Sequence, residues 1–164
     1  MAAATDLEDT FARVAITVMR HTGIRIGELL DLETDCVVDY GSAGRWLRVP
    51  LGKLNTERLV PLDTAAQDAL EGWLARRAHQ RPARHPRGGT PVEFVFMDGG
   101  WRLHARAIQH GLAQAVDIAH LRGPDGAALR VTAHQLRHTF ATELVNAGMS
   151  LQALMALLGH STAR

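Results

Sequence analysis

The ends of two helices near the C-terminus are written into the sequence, and they constrain the fold more than any other feature. Thr132 is followed three residues later by Gln135, the spacing of a capping box, so a helix is expected from about His134 until Gly148 stops it. Ser150 then offers a second N-cap and Gly159 a second stop, which leaves His160 just past a helix C-terminus and free to turn back. His134 and Arg137 stand at i and i+3 and share a face of the first helix. Two imidazoles and a guanidinium can therefore meet, a set suited to gripping a phosphodiester.

Each piece also has an ordinary explanation. An isolated His-x-x-Arg pair is usually solvated or salt-bridged, and a histidine after a helix complements the macrodipole. His138, four residues beyond His134, reads as a packing histidine, while Leu136, Phe140 and Leu144 recur at four-residue steps and should face the core. The functional reading thus depends on what distant segments supply.

Two segments supply something. Leu7, Phe11, Val14, Ala15, Val18 and Met19 keep helical period up to Gly23, after which Arg25 opens the turn into the next helix. Glu28 follows three residues later, placed to accept from the Arg25 guanidinium and fix its orientation. Further on, residues 45–51 and 57–62 have the pattern of two short strands joined through Gly52-Lys-Leu-Asn-Thr56, a hairpin with Lys53 near its tip.

The order Arg25, Lys53, His134, Arg137, His160 resembles the catalytic domain of the tyrosine recombinases, the phage integrase family. Thr22-Gly-Ile-Arg-Ile-Gly-Glu-Leu-Leu30 looks like the family's first arginine box, and Gly52-Lys-Leu-Asn-Thr-Glu-Arg-Leu-Val-Pro-Leu62 is similar to its lysine hairpin. His134-Gln-Leu-Arg-His-Thr-Phe-Ala-Thr142 and Leu157-Leu-Gly-His160 resemble its second box, and the 23-residue step from Arg137 to His160 fits. The resemblance covers nearly the whole chain.

The resemblance implies cleavage and rejoining of DNA strands through a 3′-phosphotyrosyl intermediate. Arg25 and Arg137 would hold the non-bridging oxygens of the phosphate, for which planar, permanently charged guanidiniums are suited. His160 would add a further donor, His134 would serve proton transfer with the nucleophile, and Lys53 would protonate the departing 5′ oxygen. The scheme needs no metal and no cofactor. Its partners are duplex DNA and other recombinase protomers assembled on that DNA.

The sequence also departs from the family pattern. Ala133 and Gln135 stand where the second box usually has Pro and Asp, and Leu54 and Thr56 replace the usual Gly and Lys of the hairpin. The family's nucleophile is a tyrosine a short step beyond the late histidine. Here the one tyrosine is Tyr40, which matches no catalytic position. The expectation is one catalytic domain over residues 1–164, with the family's N-terminal core-binding domain and the C-terminal tyrosine segment absent, and hence a chain inactive on its own.

Composition is consistent with a single core-bearing domain, with 46% apolar and 21% charged residues among 164. A net charge of +1 does not by itself point to nucleic acid, so a DNA-binding face has to be local. No signal peptide or membrane-length apolar run is visible, and the single Cys36 fits a reducing compartment, which together suggest a cytoplasmic protein and no membrane partner. Asp63 or Thr64 should cap a helix carrying Ala66, Leu70, Trp73, Leu74 and Arg77 on one face. The stretch 79–91 reads as a surface loop, 92–97 as a third strand, and 104–121 as a helix. The expected fold is thus α+β, mainly helical, with a small three-stranded antiparallel sheet.

Two other functions compete. A helix–turn–helix DNA-binding regulatory module would use the helix after Ser150 as reader, but that helix offers mainly Leu, Met and Ala. A zinc site could use His134 and His138 at ligand spacing, but the glutamate of a His-Glu-x-x-His motif is absent.

Overall fold

The structure is a computed structural model, and it describes residues 2–50, 57–77, 79–86 and 89–159. The fold is assembled around one helix. A short α1 (Ala2–Thr5) precedes α2 (Thr10–Thr22), in which Phe11, Ala12, Val14, Ala15, Ile16, Val18, Met19 and Thr22 are all buried. A helix apolar on most of its circumference has to be surrounded. Three neighbours surround α2: α4 (Thr64–Arg76), α5 (Ala105–Ile118) and α6 (Ala133–Asn146). The apolar period from Leu7 onward does not form one helix, because Asp9 accepts from the Ala12 amide and starts α2 anew.

Gly23 ends α2 in the left-handed conformation, and α3 (Ile26–Leu30) follows with Arg25 as its N-cap. Then come the strands β1 (Val37–Asp39), β2 (Arg45–Val49) and β3 (Arg58–Pro61), which form one antiparallel sheet in the order β1-β2-β3. Val37 pairs with Leu47 and Leu47 with Val60, so the inward face, with Leu47, Val49 and Val60, is sealed against the core.

The three-stranded sheet is present, but its third member is β1 and not residues 92–97. That apolar stretch carries Phe94, Val95, Phe96 and Met97, each at most 1% exposed. It runs through the core, bridges Glu33 at Phe94 with backbone hydrogen bonds to Leu32 and Thr34, and joins short two-stranded ladders at its ends. There β4 (Ala83–Arg84) meets β5 (Pro91–Val92), and β6 (Met97–Asp98) meets β7 (Trp101–Arg102) across the Gly99-Gly100 turn. Phe96 packs edge-on to Phe11 with ring centroids 5.3 Å apart, and the Trp73 indole donates to the Val95 carbonyl at 2.8 Å.

The last two helices follow the caps. Thr132 and Gln135 form the reciprocal capping box of α6, and Ser150 accepts from Ala153 to start α7 (Leu151–Leu158), which Gly159 ends. Leu136, Phe140 and Leu144 are only half-buried, and the one buried side chain of α6 is Arg137. Among the described residues no helix is long and apolar enough to cross a membrane.

Candidate active site

The site begins with the α2–α3 turn. Gly23 has φ +64°, and a Cβ there would lie 2.4 Å from Phe140 Cδ1 and 3.2 Å from Leu158 Cδ2. Only a glycine lets α6 and the end of α7 close onto this turn. The approach brings Arg137 beneath it, where one guanidinium nitrogen donates to the Gly23 carbonyl at 2.5 Å and another to the Leu158 carbonyl at 2.7 Å. Arg137 thus ties together two helix C-terminal ends that are far apart in sequence, and it is 6% exposed. Carbonyls at helix ends carry partial negative charge and want a cation. Burial and the like charge of Arg25 nevertheless bring the Arg137 guanidinium down to about 10.

Arg25 is anchored from the other side. Its backbone amide donates to Glu28 Oε2 at 2.7 Å and its guanidinium to Oε1 at 2.9 Å, leaving the side chain about one third exposed. Glu28 also takes a bidentate pair from Arg58 on β3, at 3.0 and 2.9 Å. Burial alone would push the Glu28 carboxyl up. The hydrogen bonds from Arg58 and Arg25 outweigh it, and the group lies below its ordinary value. Arg58 Nε reaches on to the Leu157 carbonyl at 2.8 Å. Gly159, at φ +63°, makes room for it, because a Cβ there would lie 2.9 Å from Arg58 Nη1.

Arg25, Glu28, Arg58 and Arg137 therefore form one network joining α3, β3, α6 and α7. Arg58 was not singled out in the sequence, although a signal was there. It stands two residues before buried Val60 on the same face of a strand, and an inward-facing arginine has to find a carboxylate.

His134 is exposed at the start of α6. It lines a groove with Ile26, the residue after Arg25, together with Leu129, Arg130 and Thr132. It stands one turn before Arg137 on α6 and outside the buried network. His138 is not packed in the core: it is exposed, with its ring edge-on to that of His134. Lys53 and His160 lie outside the described residues, so the hairpin tip and the last member of the set are not placed here. Tyr40 is half exposed in the β1–β2 connection, next to Trp46. Trp46 pairs with Pro61 at one end of β3, whereas Arg58 pairs with Val49 at the other, so Tyr40 stands at the end of the sheet away from the arginines. Among the described residues no three His, Cys, Asp or Glu side chains are grouped to hold a metal ion.

The helical domain with its three-stranded sheet thus brings Arg25 and Arg137, from two separate boxes, close enough for their charges to interact. The chain belongs to the phage integrase family, the tyrosine recombinases, whose family model matches residues 1–164. It is 35% identical over 162 residues to tyrosine recombinase XerC of Corynebacterium efficiens, covering 98% of this chain and 46% of that protein. Among solved structures it resembles the XerA recombinase, at 25% identity and a TM-score of 0.72, over 98% of this chain and 52% of that one. The XerH site-specific recombinase bound to its difH substrate shares the fold, with a TM-score of 0.74 at 23% identity, over 98% of this chain and 44% of that one. The chain spans less than half the length of the curated relatives it matches.

Proposed function

We propose that this chain is the catalytic domain of a site-specific recombinase that cleaves and rejoins duplex DNA through a 3′-phosphotyrosyl intermediate, acting with other protomers on the DNA. The observation that carries the proposal is the position of Arg137: buried, fixed by two helix-end carbonyls, and close enough to Arg25 for the two charges to repel. Arg25, Arg58 and Arg137 share the single carboxylate of Glu28, and that excess of positive charge suits a further anion. A phosphodiester supplies that anion, and its pentacoordinate transition state supplies more charge still.

In this reading Arg25 and Arg137 bind the non-bridging oxygens, and Glu28 and Arg58 hold Arg25 in place. His134 exchanges a proton with the nucleophile, His160 adds a donor to the phosphate, and Lys53 protonates the leaving 5′ oxygen. Tyr40, at the end of the sheet away from the arginines, is not the nucleophile in this reading. The 164-residue chain by itself then forms no covalent adduct.

DNA binding tests the electrostatic part. The chain should bind labelled duplex weakly, with affinity falling steeply as salt rises, because phosphate contacts release counterions. Arg25→Ala should reduce the slope of log affinity against log salt by about 0.9, one phosphate contact, with no change in sequence preference. A duplex affinity indifferent to salt and to both arginines would refute the proposal.

A further inference from the structure

The contact between His134 and His138 is used by nothing described so far. Their Nε2 atoms lie 2.7 Å apart and their ring planes are nearly perpendicular, at 87°. Two imidazole nitrogens at that distance cannot both present lone pairs, nor can both present protons. One proton has to lie between them. In a neutral pair the donor ring is therefore the Nε2–H form with a bare Nδ1, and the acceptor ring is the Nδ1–H form. Each ring's outward nitrogen is then fixed by the other.

We propose that His138 is a positioning residue for the recombination reaction, holding the His134 ring and selecting its tautomer so that Nδ1 of His134 is the atom left for proton exchange with the nucleophile. The inference rests on the recombinase reading given above. Three observations support it. Among the described residues His138 is the polar partner of His134. Both rings are exposed, so neither is locked in place by the core. Both hang from one helix at i and i+4, so the pair is preorganised by α6, whose start is locked by the Thr132–Gln135 capping box. A catalytic imidazole needs an orienting partner on its second nitrogen, a role that a carboxylate fills in hydrolases. Here a second imidazole fills it, and it can accept or donate as the reaction requires.

The test has two arms. The first is a long-range proton–nitrogen correlation spectrum of the ¹⁵N-histidine-labelled chain, recorded where both rings are neutral. It should show His134 and His138 as opposite tautomers, one of them the Nδ1–H form. In His138→Phe, His134 should return to the tautomer mixture of free histidine. Both rings appearing as Nε2–H in the unsubstituted chain would overturn the proposal.

The second arm uses the complete gene product on a nicked suicide duplex. His138→Phe should lower the cleavage rate about tenfold, less than the roughly 10²–10⁴-fold expected for losing a general base outright. Duplex affinity should stay unchanged, and His138→Gln, which can still hydrogen-bond, should recover part of the rate. Unaltered cleavage in His138→Phe would refute the positioning role. If the unsubstituted protein neither binds nor cleaves duplex while the tautomers are opposed, the recombinase reading is what fails, and the catalytic meaning of the pair goes with it.

Discussion

Arg137 is a charge that the fold holds at a cost, and Glu28 is a charge that the fold needs. For Arg137, burial and the Arg25 charge both disfavour the guanidinium form, so an anion bound beside the pair should relieve the folded state. Sulfate or inorganic phosphate at ten times its Kd adds about 1.4 kcal/mol, or roughly 3–6 °C in Tm for a domain of this size. Arg25→Ala should abolish that gain in a thermal scan, and a gain that survives the substitution would place the anion elsewhere. For Glu28 the sign is the reverse. Its folded value lies below the ordinary 4.5, so its stabilising effect is complete above that pH and is lost as pH falls through the folded value. Glu28→Gln leaves Arg58 buried without its carboxylate and should cost about 3 kcal/mol at neutral pH. The difference from the unsubstituted chain should shrink in acid, as denaturant titrations at pH 7 and below pH 4.5 would show.

At the scale of elements, the boundaries were legible where a side chain or a glycine sets them. The Thr132–Gln135 box, Ser150, Asp63, Gly23 and Gly159 all mark helix ends in the structure as in the sequence. They are local signals, carried within four residues, so no tertiary knowledge is needed to read them. The third strand was not legible. Apart from Glu93, residues 92–97 are β-branched, aromatic or apolar, but a short apolar run states that it is buried and not which strand it joins. Val37–Asp39 offers too short a pattern to be noticed, and it becomes a strand because the Gly41–Ala43 turn folds it back on β2. Arg58 was hidden for a related reason, since its partners Glu28 and Leu157 come from distant elements. Gly23 shows how one position serves both scales. Its left-handed φ could be read from the sequence as a helix stop, but its closeness to Phe140 could not. Gly23→Ala should therefore cost at least about 2 kcal/mol, from the left-handed backbone and the overlap together, lowering Tm by roughly 4–8 °C. A neutral substitution there would mean that α6 does not pack on this turn as described.

At the scale of the whole molecule, a buried α2 carries the neighbours that place the two arginine boxes on one face. Composition could not have shown this, because a net charge of +1 hides a cluster in which three arginines surround one glutamate. The order of the boxes along the chain pointed instead to the family, and that family's model matches residues 1–164. In the function proposed above, Arg25 and Arg137 together hold one scissile phosphate. The most direct measurement is covalent trapping of a nicked suicide duplex by the complete gene product, with and without Arg137→Ala, on two substrates. One carries the natural phosphate and the other a neutral methylphosphonate at the scissile position. On the natural substrate the substitution should lower trapping by about 10²–10³-fold, the usual cost of one preorganised donor. On the methylphosphonate, which has lost one charged oxygen, the loss should be much smaller. Equal trapping by both proteins on the natural phosphate would contradict the account.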